Sequence, residues 1–99
     1  MSDSTHALLI RWTTNAYQAL VNSLAHIENE DTFAARLVLQ RVEKSLLLLA
    51  IQPGMGTMTA RPGVRRYHIP QTGHTINYRI VQDELRILRW YRQRQQQKL

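Results

Sequence analysis

The spacing of apolar residues changes along this chain from a repeat of three and four to a repeat of two. From His74 to Val81, Ile76, Tyr78 and Ile80 alternate with Thr75, Asn77 and Arg79, the pattern of a strand with one packed and one solvated face. Val64 to Ile69 and Leu85 to Tyr91 are flanking runs rich in β-formers. Pro-Gln-Thr-Gly and Gln-Asp-Glu separate them from the middle run, so this part of the chain reads as an antiparallel meander. Earlier, Ala7 to Trp12 reads as a short strand, and Thr13, Thr14 and Asn15 supply capping side chains for a helix start. Tyr17, Leu20, Val21, Leu24 and Ile27 then fall at helical spacing, with Gln18, Asn22 and Ser23 on the other side. Glu28 to Asp31 breaks that pattern. A second helix follows, its stripe of Ala35, Leu39, Val42, Leu46 and Leu49 opposite Arg36, Gln40, Glu43 and Lys44. Pro53 and Gly54 end it, and Gly56, Pro62 and Gly63 make residues 53–63 a loop.

The order strand, helix, helix, three strands predicts a small α+β domain. A helical hairpin covers one face of an antiparallel sheet, which the first strand also joins. The helical stripe lasts about two heptads, too short for a coiled-coil arm, and a sheet in the same chain needs its apolar face covered. A chain of 99 residues with 43% hydrophobic content builds one core, so residues 1–99 are expected to form one domain, with 92–99 a basic, Gln-rich tail. The longest apolar run, Leu46 to Ile51, is too short to cross a bilayer, and Met1 to His6 is too polar for a secretory signal. With no cysteine present, a cytoplasmic protein without a membrane partner is the expectation.

Charge sharpens this picture. Residues 61–99 hold nine Lys or Arg against Asp83 and Glu84, a balance of +7, whereas residues 1–60 balance to −1. A field segregated in this way suits an acidic partner such as nucleic acid or an acidic protein segment. Strand parity turns Tyr67 and Ile69 inward and brings Arg66, His68, Asn77 and Arg79 together on the wet face. The candidate residues for binding an acidic target are Arg65, Arg66, His68, Arg79, Arg86, Arg92 and Arg94. His6, His26, His68 and His74 are scattered without metal-ligand spacing, and no nucleophile elbow, phosphate loop or carboxylate pair occurs, so no metal or cofactor is expected. Metal-free RNA cleavage would need only cations and a proton carrier, for which Arg66, His68, Tyr91 and Arg92 are the candidates. Trp12 and Trp90 read as core.

The segments PGMG, PGVRRYHI, TGHTINYRI and LRILRWYRQRQ, in this order and spacing, resemble the RelE/ParE superfamily of toxins from bacterial type II toxin–antitoxin modules. The resemblance covers nearly the whole chain and is carried chiefly by its last forty or so residues. It implies one of two activities. The RelE-like branch cleaves mRNA on the ribosome; the ParE-like branch inhibits DNA gyrase and has no established nuclease activity. An ungapped match places Arg66 and His68 where RelE-like members carry two lysines. Thr75 replaces an arginine after the turn, the preceding loop supplies only Arg61, and Arg92 stands where many members have a histidine. That incomplete constellation, with the Tyr-Arg-Ile and Ile-Leu-Arg wording, favours the ParE-like branch. The resemblance then implies a growth-arresting toxin of the kind that serves plasmid stabilisation. Gyrase is the implied target, and a cognate antitoxin would cover the helical hairpin and basic sheet with an acidic or amphipathic segment. Ribosome-dependent mRNA cleavage is the alternative, and an inactive member or plain nucleic-acid-binding domain a further one.

Overall fold

The computed structural model describes residues 7–93. Strand β1 (Leu9–Trp12) leads through Thr13 into helix α1 (Thr14–Glu30), and Asp31 alone separates α1 from helix α2 (Thr32–Ile51). A 3-10 turn at Pro53–Met55 and a two-residue strand β2 (Thr57–Met58) follow, then β3 (Val64–Ile69), β4 (His74–Val81) and β5 (Glu84–Arg92). The expected α+β class and element order are those observed.

Local chemistry explains the helix boundaries. The Thr13 hydroxyl accepts the Ala16 amide at 3.1 Å and so caps α1. Asp31 lies in extended backbone, and one carboxylate oxygen accepts from Phe33 and Ala34 at 3.0 and 3.1 Å. The break is therefore narrower than the sequence suggested, because one Asx cap ends one helix and starts the next. Asp31→Ala is expected to lower stability by about 1 kcal/mol, the usual loss for an N-cap, with Asp31→Asn retaining most of it. Urea denaturation of the three proteins checks this, and equal midpoints for Ala and Asn would refute the capping role.

The five strands run in the order β1-β5-β4-β3-β2. β3, β4 and β5 form the expected antiparallel meander, but β1 joins β5 parallel, with Leu9 beside Glu84 and Trp12 beside Ile87. The α-hairpin returns the chain so that β3, rather than a partner of β1, begins the meander. Residues 53–63 are also more than a loop, since Thr57 and Met58 pair antiparallel with Arg66 and Arg65.

The hairpin packs on one sheet face. Leu20, Val38, Val42 and Leu49 meet Ile69, Ile76, Tyr78, Leu85, Ile87 and Trp90 there. Trp12 packs against this cluster and Trp90 lies within it, as expected of both. Tyr17 and Val21, read as part of the apolar stripe of α1, remain 55% and 39% exposed; Ala16 and Leu20 fill that role. On α2, Leu39 is likewise exposed and Val38 buried. A register shift between Asn77 and Tyr78 leaves Leu88 without a partner in the β4–β5 ladder. This bulge inverts the parity of the rest of β5, placing Trp90 in the core and Arg89 and Tyr91 on the uncovered face.

Candidate functional site

The uncovered face of the sheet collects the charge. Cross-strand register aligns Arg66 with Asn77 and Arg89, His68 with Thr75 and Tyr91, and Val64 with Arg79 and Arg86. Arg11 of β1 lies beside Arg86. Among the described residues, five arginines thus share the face with one carboxylate, Glu84, which holds Arg11 at 3.2 Å and Arg86 at 2.9 Å. The hydrogen bond from Arg86, reinforced by both guanidinium charges, keeps the Glu84 carboxyl below its ordinary range. These pairs are exposed and screened, so they orient the arginines more than they stabilise the fold.

The polar centre of the face is already hydrogen-bonded. His68 Nδ1 and the Thr75 hydroxyl share a hydrogen bond of 2.7 Å, and the Tyr91 hydroxyl donates to Asn77 Oδ1 at 3.0 Å. Arg89 lies over the Tyr91 ring, 4.7 Å from its centroid, a cation–π contact. Arg79 donates to the Pro62 carbonyl at 3.2 Å. Arg66 has no side-chain hydrogen-bond partner among the described residues.

Of the residues expected at the site, Arg66, His68, Arg79, Arg86 and Tyr91 meet on this face. Arg65 and Arg92 do not. Arg65 is in register with buried Tyr78 on the helix side, and its guanidinium donates to the Gly56 carbonyl at 2.8 Å, bracing the loop before β2. Arg92 is in register with His74 and lines a cavity against α1, because the Leu88 bulge shifts its parity. Arg94 lies outside the described residues. Sequence reasoning missed Arg11 and Arg89. Arg11 was legible from the alternation in LLIRW; Arg89 required the bulge.

Tyr78 and His74 anchor the helix side. The Tyr78 hydroxyl accepts the Gly56 amide at 3.0 Å and donates to the Pro53 carbonyl at 2.6 Å, and burial raises its pKa. His74, 4% exposed, stacks on Trp90 with ring centroids 4.6 Å apart, and its Nδ1–H donates to the Thr72 carbonyl at 3.1 Å. Burial lowers the His74 pKa, and the nearby Arg92 charge pushes the same way. The unfolded chain therefore takes up a proton before the native one, so stability is full above about pH 6.5 and falls as pH drops toward the depressed native value. Urea midpoints between pH 7.5 and 5 should decline for the wild type and decline less for His74→Gln; parallel curves would remove His74 as the cause.

A family model described as the ParE toxin of the type II toxin–antitoxin system parDE matches residues 10–97. The chain belongs to the ParE toxin family. Among solved structures, a protein of the chromosomal ParDE toxin–antitoxin system of P. aeruginosa superposes with a TM-score of 0.75 at 23% identity. The match covers 89% of this chain and 98% of that one, so it shows a shared fold. No curated protein sequence matches the chain. Among the described residues, no helix of this ParE-family chain is long and apolar enough to cross a membrane.

Proposed function

We propose that this ParE-family toxin arrests bacterial growth by binding and inhibiting DNA gyrase, and that a cognate antitoxin neutralises it. The observation that carries the binding mode is the division of the nuclease candidates between two faces. Arg66, His68 and Tyr91 stand on the open sheet, while Arg92 lines a cavity on the helix side. In-line cleavage of RNA requires a base, an acid and a cation around one phosphate, within hydrogen-bond reach of it. Arg92 is lost to the other face, His68 Nδ1 is engaged with Thr75 and the Tyr91 hydroxyl donates to Asn77, so the proton carriers left beside Arg66 are already committed within the sheet, whereas five arginines on an open surface suit association with an acidic macromolecular surface.

The antitoxin reading draws on a second surface. Between α2 and β3 a groove of about 240 Å³ has Leu48, Tyr67 and Pro70 as apolar lining and Arg41 and Lys44 as cations. An amphipathic acidic segment complements both features. Leu47 and Ile51, one helical turn apart and 69% and 55% exposed, extend the apolar area along α2.

The experiment is a supercoiling assay with purified gyrase and folded toxin, paired with mapping of transcript ends after induction in a bacterial host. Inhibited supercoiling with intact mRNA supports the proposal. Active gyrase beside new, codon-phased mRNA ends would replace it with ribosome-dependent cleavage. Normal growth throughout would leave an inactive member or a plain nucleic-acid-binding domain.

A further inference from the structure

On the helix side of the sheet, away from the arginine face, a cavity of about 380 Å³ opens between α1 and the adjoining ends of β4 and β5. Asn22, Ser23 and His26 reach it from α1, His74 from the start of β4, and Arg92 from the end of β5, with Ile27 as the apolar wall. Among the described residues, no carboxylate lines it. His74 and Arg92 are register partners, and His26 follows Asn22 by one helical turn, so rigid elements place all three basic groups around one space.

We propose that this cavity is a binding site for a phosphoryl group, held by Arg92, His26 and His74. The inference is independent of the gyrase reading. Each group has a capacity suited to an oxyanion. The Arg92 guanidinium offers planar paired donors, the commonest way proteins hold phosphate. At His74, Nδ1–H is committed to the Thr72 carbonyl, so Nε2 is the ring nitrogen left for the cavity, and it becomes a donor to an oxyanion once the ring is protonated. His26 and Asn22 lie on the exposed surface of α1 and are free to turn toward a guest. The Ser23 hydroxyl accepts the Trp90 indole N–H at 3.0 Å, so its own proton remains to be donated.

Electrostatics give the sign. The Arg92 guanidinium lines a partly enclosed space with no acid beside it among the described residues, and a dianion complements that charge. Among the described residues, the titratable and charged groups around the cavity are His26 from α1, His74 from β4 and Arg92 from β5. A bound dianion stabilises the protonated form of His74, whose Nε2–H then donates to it, so binding strengthens as pH falls. The volume lies in the range of small-ligand pockets and exceeds what a bare ion needs, leaving space for a sugar attached to the phosphate.

The test is an NMR titration of the full chain with sodium sulfate, inorganic phosphate and ribose 5-phosphate. Sodium chloride at matched ionic strength serves as the control, and the reporters are the Trp90 indole N–H and the imidazole signals of His26 and His74. Saturable shifts at these three residues, at least tenfold tighter at pH 5.5 than at pH 7.5 for sulfate, are the expected result. Arg92→Gln and His26→Gln, both at exposed positions that leave the core intact, should each weaken binding about tenfold or more. Tighter binding of ribose 5-phosphate than of phosphate identifies a phosphorylated small molecule as the guest; equal binding identifies the free anion. Shifts that match the chloride control, or affinity unchanged in both variants, would overturn the site.

Discussion

Tyr78→Phe is expected to lower the unfolding free energy by about 2–4 kcal/mol, although it removes a single oxygen. The phenol is 0% exposed and joins the segment before β2 to the core of the sheet. Its hydroxyl accepts from the Gly56 amide and donates to the Pro53 carbonyl, tying both ends of the 3-10 turn to the sheet. Phenylalanine fills the same volume but takes both of these bonds away at the rim of the core, a loss of about 1–3 kcal/mol for each buried group deprived of its partner. Gly56 is constrained by the same contact. A Cβ there would stand 2.5 Å from the Tyr78 hydroxyl and 2.9 Å from the Arg66 carbonyl, so Gly56→Ala must displace the ring or the β3 backbone. Combining the two substitutions should not restore stability, because that Cβ also meets Tyr78 Cε1 at 2.8 Å, and phenylalanine retains this atom. Urea denaturation of both single variants and the double settles the point. A midpoint for Tyr78→Phe within error of wild type would show that the loop does not depend on the phenol.

The second large effect is functional. Arg66→Glu combined with Arg89→Glu should reduce gyrase inhibition and growth arrest by at least tenfold while leaving the urea midpoint nearly unchanged. The two side chains flank Asn77 across three strands, on the face away from the core. The double reversal changes the charge of that face by four units. Steered association depends on such fields over a range of about 10–10³-fold in rate. Structural losses are small, since among the described residues Arg66 has no side-chain hydrogen-bond partner and Arg89 contributes only its contact with the Tyr91 ring. Arg65→Glu is the contrasting variant. It removes the donor to the Gly56 carbonyl and should lower stability, with activity falling in proportion to the folded fraction. Full toxicity of the Arg66/Arg89 double variant would move the target-binding surface elsewhere on the molecule.

Much of this architecture is written in local pattern. Alternation in residues 64–81 shows the strands and the side on which Arg66, His68 and Arg79 stand, because a β-strand has a fixed period of two. The capping chemistry of Thr13 and Asp31 and the helical spacing of Leu20, Val42 and Leu49 likewise act over a few residues. The sequence by itself therefore determined the order of the main elements, the α+β class and the basic character that Arg66 and Arg79 give the uncovered face. Three things were decided only in three dimensions. β1 lies parallel to β5 because the α-hairpin sets where the chain re-enters the sheet, a constraint that acts across more than seventy residues. Thr57 and Met58 form a strand only because β3 offers an unpaired edge. Arg89 and Tyr91 face outward, and Arg92 turns to the cavity beside His74, because Leu88 is bulged out of the ladder. Trp90 explains the bulge's location in terms of packing: at that register its ring enters the core beneath α1, its indole meets Ser23 and its face meets His74. Burial of a tryptophan outweighs the loss of one ladder position, and that balance depends on what α1 places opposite it.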